Sequence, residues 1–153
     1  MGRRKRHFRP GGIYFVTNRC AGGRYLLRPD GQTRALLIGI MAHYAAVHKV
    51  DILGFVFMSN HFHLIVRGRK RGSISDFMRD MQRKISIEIQ EIRDDWNTRV
   101  FPERFKCEEI LDDASLHELI SYMMLNPVKA GLVYHPSEWK GASSWEIHQN
   151  GGT

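Results

Sequence analysis

Two extended apolar runs, Ile52–Met58 and His61–Arg67, are separated only by Ser59 and Asn60. Both runs favour strand, the link is a turn signal, and so short a connection joins neighbouring antiparallel strands as a hairpin. Ile13–Thr17, with β-branched and aromatic residues, predicts an earlier strand, and residues 19–31 are turn-rich through Gly22, Gly23, Pro29 and Gly31. Leu36, Leu37, Ile40, Met41, Tyr44 and Val47 recur at helical spacing and predict a helix over residues 32–49. A second long helix opens at Ser73, with Ser73 or Ser75 as its cap and Asp76 in its first turn. Its apolar stripe is Ile74, Phe77, Met78, Met81, Ile85, Ile89 and Ile92.

Residues 96–110 predict two short extended pieces around Pro102. Asp112 or Asp113 caps a third helix carrying Leu116, Leu119, Ile120 and Met123 on one face, which Pro127 and Gly131 end or redirect. Residues 134–153 read as an irregular tail holding Pro136, Trp139 and Trp145. Strand, helix, strand, strand, helix, strand, helix is the order of an α+β fold of the ferredoxin-like class, an antiparallel sheet with packed helices. With 153 residues, 42% of them hydrophobic, and no internal repeat or linker, the chain is expected to form one domain over 1–153, with residues 1–10 as a basic arm.

Several classes are disfavoured. The longest apolar run, residues 35–47, contains His43 and Tyr44 and is too short for a membrane span. The basic start is followed only by Ile13–Val16 as an apolar stretch, which is no secretory signal. Cys20 and Cys107 are far apart and form no Cys-x-x-Cys pair, so a disulfide framework is not expected and the cytoplasm is the expected compartment.

The charge balance points to a polyanion. Lys plus Arg is 23 against 16 for Asp plus Glu, a net charge of +7. The excess is clustered in Arg3, Arg4, Lys5, Arg6 and Arg9, and again in Arg67, Arg69, Lys70 and Arg71. Such clusters attract nucleic acid, although a solvated surface explains either one alone.

Strand alternation puts His61 and His63 on one face and Phe62, Leu64 and Val66 on the other, toward a core. Two imidazoles so spaced can chelate one ion, or can be polar residues on a wet strand face; a metal site needs further ligands. Tyr122 and Asn126, four apart, share a helical face at the edge of the apolar stripe. Tyr122 is either a phenol in a cleft or a core-edge aromatic, and Asn126 either a ligand or a helix cap before Pro127. Two imidazoles with amide and water oxygens suit a divalent ion, Mg²⁺ or Mn²⁺, better than a closed structural zinc.

These residues also carry a family resemblance. The run Met58-Ser59-Asn60-His61-Phe62-His63-Leu64 resembles the His-hydrophobe-His motif of single-tyrosine transposases. The run from Tyr122 through Asn126, Pro127, Ala130 and Gly131 to Val133 resembles the tyrosine motif of the REP-associated tyrosine transposases. Residues 12–19, Trp139 and Ser143-Ser144-Trp145 are similar to that family as well, so the resemblance spans Arg9 to Trp145. It implies a ferredoxin-like fold and cleavage of single-stranded DNA beside imperfect palindromic hairpins. It further implies Tyr122 as nucleophile, with His61, His63 and Asn126 holding the divalent ion. Arg3, Arg4, Lys5, Arg6, Arg67, Arg69, Lys70 and Arg71 are the expected DNA contacts. Phe15 departs from the many relatives with a histidine at that place. Insertion-sequence relatives form dimers with shared sites while the REP-associated branch can act as monomers, so the chain is expected to be a monomer or a homodimer.

Three rival readings stand beside this one. An RNA-recognition module is faintly suggested by Gly54-Phe55-Val56-Phe57, but Asp51-Ile52-Leu53 does not fit and Met58 replaces a needed aromatic. A domesticated, cleavage-dead DNA-binding protein would not need intact His61, His63 and Tyr122. A phosphodiesterase that uses water would not need the tyrosine.

Overall fold

The computed structural model describes residues 4–150. Its strands are β1 (Ile13–Arg19), β2 (Val50–Phe57), β3 (His61–Gly68) and β4 (Lys106–Ile110). Its helices are α1 (Gly31–His48), α2 (Ser73–Arg93), α3 (Asp113–Lys129) and the short α4 (Trp145–Gln149). The strands form one sheet in the order β2-β3-β1-β4, with every neighbouring pair antiparallel. β1-α1-β2 and β3-α2-β4 are interleaved split βαβ units, and this is the ferredoxin-like topology expected from the element order. Among the described residues no helix is long and apolar enough to cross a membrane.

The sheet is covered on both faces. Tyr14, Val16, Phe62, Leu64 and Val66 pack with Leu37, Met41, Phe77, Met81 and Ile85 in the larger core, beneath α1 and α2. On the opposite face Val56, Met58 and Ile65 pack with Met123 and Met124 of α3, and Trp139 and Trp145 close that layer. A bulge between Ile52 and Gly54 interrupts the β2–β3 register. Gly54 lets the second layer sit close, because a Cβ there would lie 2.8 Å from Met123 Cε and 3.3 Å from His148 Nε2.

Four local expectations need correction. Neither Ser73 nor Ser75 caps α2; Gly72, at φ 81°, is the N-cap, and no side chain takes that role. This left-handed position suits glycine, and it lets the chain turn directly from β3 into the helix. Of two extended pieces expected in residues 96–110, only β4 pairs as a strand; Pro102 has no N–H to give a ladder, and the residues around it pair with no strand. Pro127 does not end α3, which runs on to Lys129 with that proline buried in its last turn. Termination falls to Gly131, at φ 75°, with Leu132 N–H donating to Pro127 O. The tail is not wholly irregular either. It contains a 3₁₀ turn and α4, and Val56 forms a bridge with Ser143. Trp139 Nε1–H donates to Phe57 O at 3.2 Å, so this indole pins the tail to the hairpin.

Candidate active site

Antiparallel register builds the site. Thr17 lies opposite His63 and Arg19 opposite His61, and alternation turns all of these toward the α3 face. His63 is only 9% exposed, so it does not stand on a wet face as the plainer sequence reading held. Phe15 covers one side of its ring with centroids 5.4 Å apart, and Tyr122 of α3 lies edge-on at 5.9 Å. The His61 and His63 rings are 4.9 Å apart and nearly perpendicular.

The hairpin turn orients His61. Asn60 Nδ2 donates to Gly23 O at 3.3 Å, which leaves Oδ1 2.7 Å from His61 Nδ1. An amide oxygen only accepts, so Nδ1 carries the proton and Nε2 keeps a free lone pair. Burial holds His63 down to about 4, with His61 adding to the shift. Burial, then the charge of Arg19, lowers His61 as well. Both rings are therefore neutral near pH 7, the form in which imidazole binds a metal.

Asn126 reaches the same place, its Nδ2 3.4 Å from His63 Nε2. Turning this amide over would present Oδ1 instead. His63 Nδ1 is buried without a hydrogen-bond partner among the described residues. Among those residues no group of three or more His, Cys, Asp and Glu side chains could hold a metal. Two neutral imidazoles with a nearby amide nevertheless fit a divalent ion whose remaining positions are filled by water or phosphate oxygens.

Tyr122 is 42% exposed and borders a cavity of about 360 Å³ lined also by His61, His63, Thr17 and Arg19. The Lys129 ammonium sits 5.2 Å from the centre of the Tyr122 ring. Arg104 and Lys106 line the cavity as well, although sequence reasoning did not single them out. Arg19 could have been found from the β1–β3 register, but Lys106 reaches the site as the first residue of β4, opposite Thr17, and Arg104 through the loop before it, which left no pattern in the sequence.

The expected DNA-binding residues divide. Arg67 and Arg69 both pair with Asp51, at 3.2 and 2.6 Å, toward the opposite end of β3 from His61. Lys70 is exposed nearby. Lys5, Arg6 and Arg71 line a separate cleft, and Arg4 contributes its carbonyl to Arg104. Arg3 lies outside the described residues.

The model of the family described as "Transposase IS200 like" matches residues 26–125, a stretch that contains His61, His63 and Tyr122. The fold is similar to that of a REP-associated tyrosine transposase bound to a REP hairpin, with a TM-score of 0.74 and 22% identity over 99% of this chain and 87% of that one. It is also similar to a candidate transposase from Deinococcus radiodurans R1, with a TM-score of 0.52 and 12% identity over 80% of this chain and 93% of that one. No curated protein matches the chain significantly.

Proposed function

Because the chain belongs to the IS200-like transposase family, we propose that it cuts and rejoins single-stranded DNA beside REP-like hairpins, with Tyr122 as nucleophile. The observation that carries this reading is the Tyr122 ring 5.9 Å from His63, on a cavity it shares with His61. The likeness to a hairpin-bound structure supports hairpin DNA as the partner.

Tyr122 Oη attacks the scissile phosphorus, and the bond from phosphorus to the 3′ oxygen breaks. The phenolic proton is lost, the leaving oxygen gains one, and the 5′ end stays on the protein as a phosphotyrosine. A 3′-hydroxyl then attacks the same phosphorus and releases Tyr122. One phosphodiester is exchanged for another, so no ATP is needed. Lys129 adds a cation 5.2 Å from the centre of the Tyr122 ring, while Arg19, Arg104 and Lys106 line the cavity that would take the phosphate charge. His61, His63 and Asn126 would hold Mg²⁺ or Mn²⁺, which when bound supplies Lewis-acid polarisation of a phosphate oxygen. Tyr122 meets His63 of its own chain, and the protein acts, as a monomer or homodimer, through a single domain, residues 1–153, whose basic arm and cationic clusters bind DNA. The cytoplasm, where DNA is accessible and thiols stay reduced, is the proposed compartment.

The test incubates 5′- and 3′-labelled hairpin DNA having single-stranded flanks with the protein, with and without Mn²⁺, on a denaturing gel. A metal-dependent band of covalent protein–DNA adduct is expected, absent from Tyr122→Phe. Cleavage without an adduct would identify water as the nucleophile. Binding without cleavage would identify a DNA-binding protein that has lost its chemistry.

A further inference from the structure

The cleft lined by Lys5, Arg6, Arg9, Arg71 and Arg104 has a volume of about 840 Å³, larger than the cavity beside Tyr122. It forms where the N-terminal arm folds across the start of α2, held by Gly11 N–H donating to Gly68 O and by an Arg9–Glu109 ion pair at 2.6 Å. Arg104 lines both this cleft and the Tyr122 cavity. We propose that the cleft is a second DNA contact, which grips the phosphate backbone of the paired hairpin stem while the single strand occupies the Tyr122 cavity, with Arg104 at their junction. This inference rests on the reading of the protein as a hairpin-directed transposase.

Unspent positive charge is the first support. Lys5, Arg71 and Arg104 have no carboxylate partner among the described residues, whereas Arg67 and Arg69, outside the cleft, share the carboxylate of Asp51. Arg6 Nη1 is buried and without a hydrogen-bond partner among those residues. Burial disfavours the charged form of Arg6, Cys107 opposes that shift and the like charge of Arg104 adds a smaller part to it, so an anion entering the cleft would favour the charged guanidinium. The corner carrying Arg104 is anchored, because buried Asn18 donates to Glu103 O at 3.2 Å and to Gln82 Oε1 at 2.5 Å.

The aromatic groups argue for paired rather than single-stranded DNA. Sites that track single strands offer open rings on which bases stack. Here Phe8 lies edge-on to Tyr14 at 4.9 Å and over Phe105 at 6.4 Å, and Arg6 lies over the Phe105 ring at 4.2 Å. Phe8 and Phe105 are occupied by each other, by Tyr14 and by Arg6, and exposed His7 is the one lining ring left open among the described residues. A cleft that presents several cations and a single open imidazole suits a stem whose bases are turned inward and whose phosphates face out better than a strand that needs a row of stacking rings.

Binding is measured without divalent metal, so that cutting cannot intervene, using a hairpin stem without single-stranded flanks and an unstructured single strand of equal length. Lys5→Ala and Arg71→Ala change exposed side chains and keep the fold, verified by thermal melts. Each is expected to weaken the stem probe several-fold and to reduce the magnitude of its log–log salt slope by ~0.9. The single strand should change less than the stem, and Arg104→Ala should weaken both probes. Wild-type salt slopes for the stem in Lys5→Ala and Arg71→Ala would overturn the proposal, as would a loss confined to the single strand. The catalytic reading fails separately, if Tyr122→Phe still forms an adduct.

Discussion

The Phe15 ring lies parallel to the His63 imidazole, with centroids 5.4 Å apart and planes within 7°. Phe15 closes one face of His63 while Tyr122 meets that ring edge-on. A flat hydrocarbon face excludes water and restricts rotation without competing for a lone pair. The Phe15→Leu variant keeps apolar cover but loses the flat contact. It is expected to fold normally and to bind Mn²⁺ several-fold more weakly, measured by calorimetry. Unchanged affinity would make the stack mere packing.

Asn60 acts on the other histidine. Its Oδ1 fixes the proton of His61 on Nδ1, and its Nδ2 is tied to Gly23. Losing such an outer hydrogen bond costs about 10–100-fold in metal affinity. Asn60→Ala is therefore expected to raise the Mn²⁺ concentration needed for adduct formation, with near-normal adduct yield at saturating metal. Asn60→Asp, which keeps an acceptor, should recover most of the loss.

Phe62 separates the chemistry of this strand from its structure. It is fully buried between Phe57, at 5.3 Å, and Phe101, at 5.5 Å, on the face opposite both histidines. Truncating a buried Phe costs about 3–5 kcal/mol. Phe62→Ala should lower the melting temperature sharply, whereas His61→Ala should weaken metal dependence with a smaller shift in melting. The reverse pattern would contradict the register of β3.

The hairpin, its inward face and the helical stripes were legible because they depend on periods of two and 3.6 along a continuous segment. The pairing of Tyr122 with Asn126 was legible for the same reason. Burial of His63 was not, since the cover comes from Phe15 on another strand and from α3, more than fifty residues later in the chain. The cap of α2 was misread because serine is a good capping residue, yet the turn out of β3 demanded positive φ at Gly72. The second basic cluster looked uniform in sequence. It divides in space because Asp51, on the neighbouring strand, reaches Arg67 and Arg69 but not Arg71.

The two thiols should differ in reactivity. Cys20 is 4% exposed, and burial pushes its thiol up to about 12. Cys107, on β4, is only partly buried. Thiolate is the reacting form, so Cys20 is protected by both access and ionisation. Iodoacetamide at pH 8 is expected to label Cys107 first, with Cys20 reacting after denaturant is added. Rapid native labelling of Cys20, read by peptide mass, would mean that the β1 end of the core opens readily.

Asp30 links the fold to pH. Its carboxylate caps α1 by accepting from Thr33 N–H at 2.7 Å, and it pairs with Arg93 at 3.3 Å. The Thr33 backbone hydrogen bond is the largest cause holding its pKa below the ordinary 3.8, with Arg93 contributing less. Since the folded value is depressed, the stabilisation is complete above the unfolded pKa and is lost as pH falls through the folded one. The side chain is 44% exposed, so solvent screening keeps the ionic part small and the cap dominates. Removing an aspartate cap costs ~1 kcal/mol, whereas asparagine caps about as well. Asp30→Ala should therefore lose ~1 kcal/mol at pH 7 by urea denaturation, and Asp30→Asn clearly less. Below pH 4 the gap between wild type and Asp30→Ala should narrow, because protonation weakens the wild-type carboxylate as an acceptor. A gap that stays constant from pH 7 to pH 3 would show that the hydrogen bond to Thr33 does not depend on the charge.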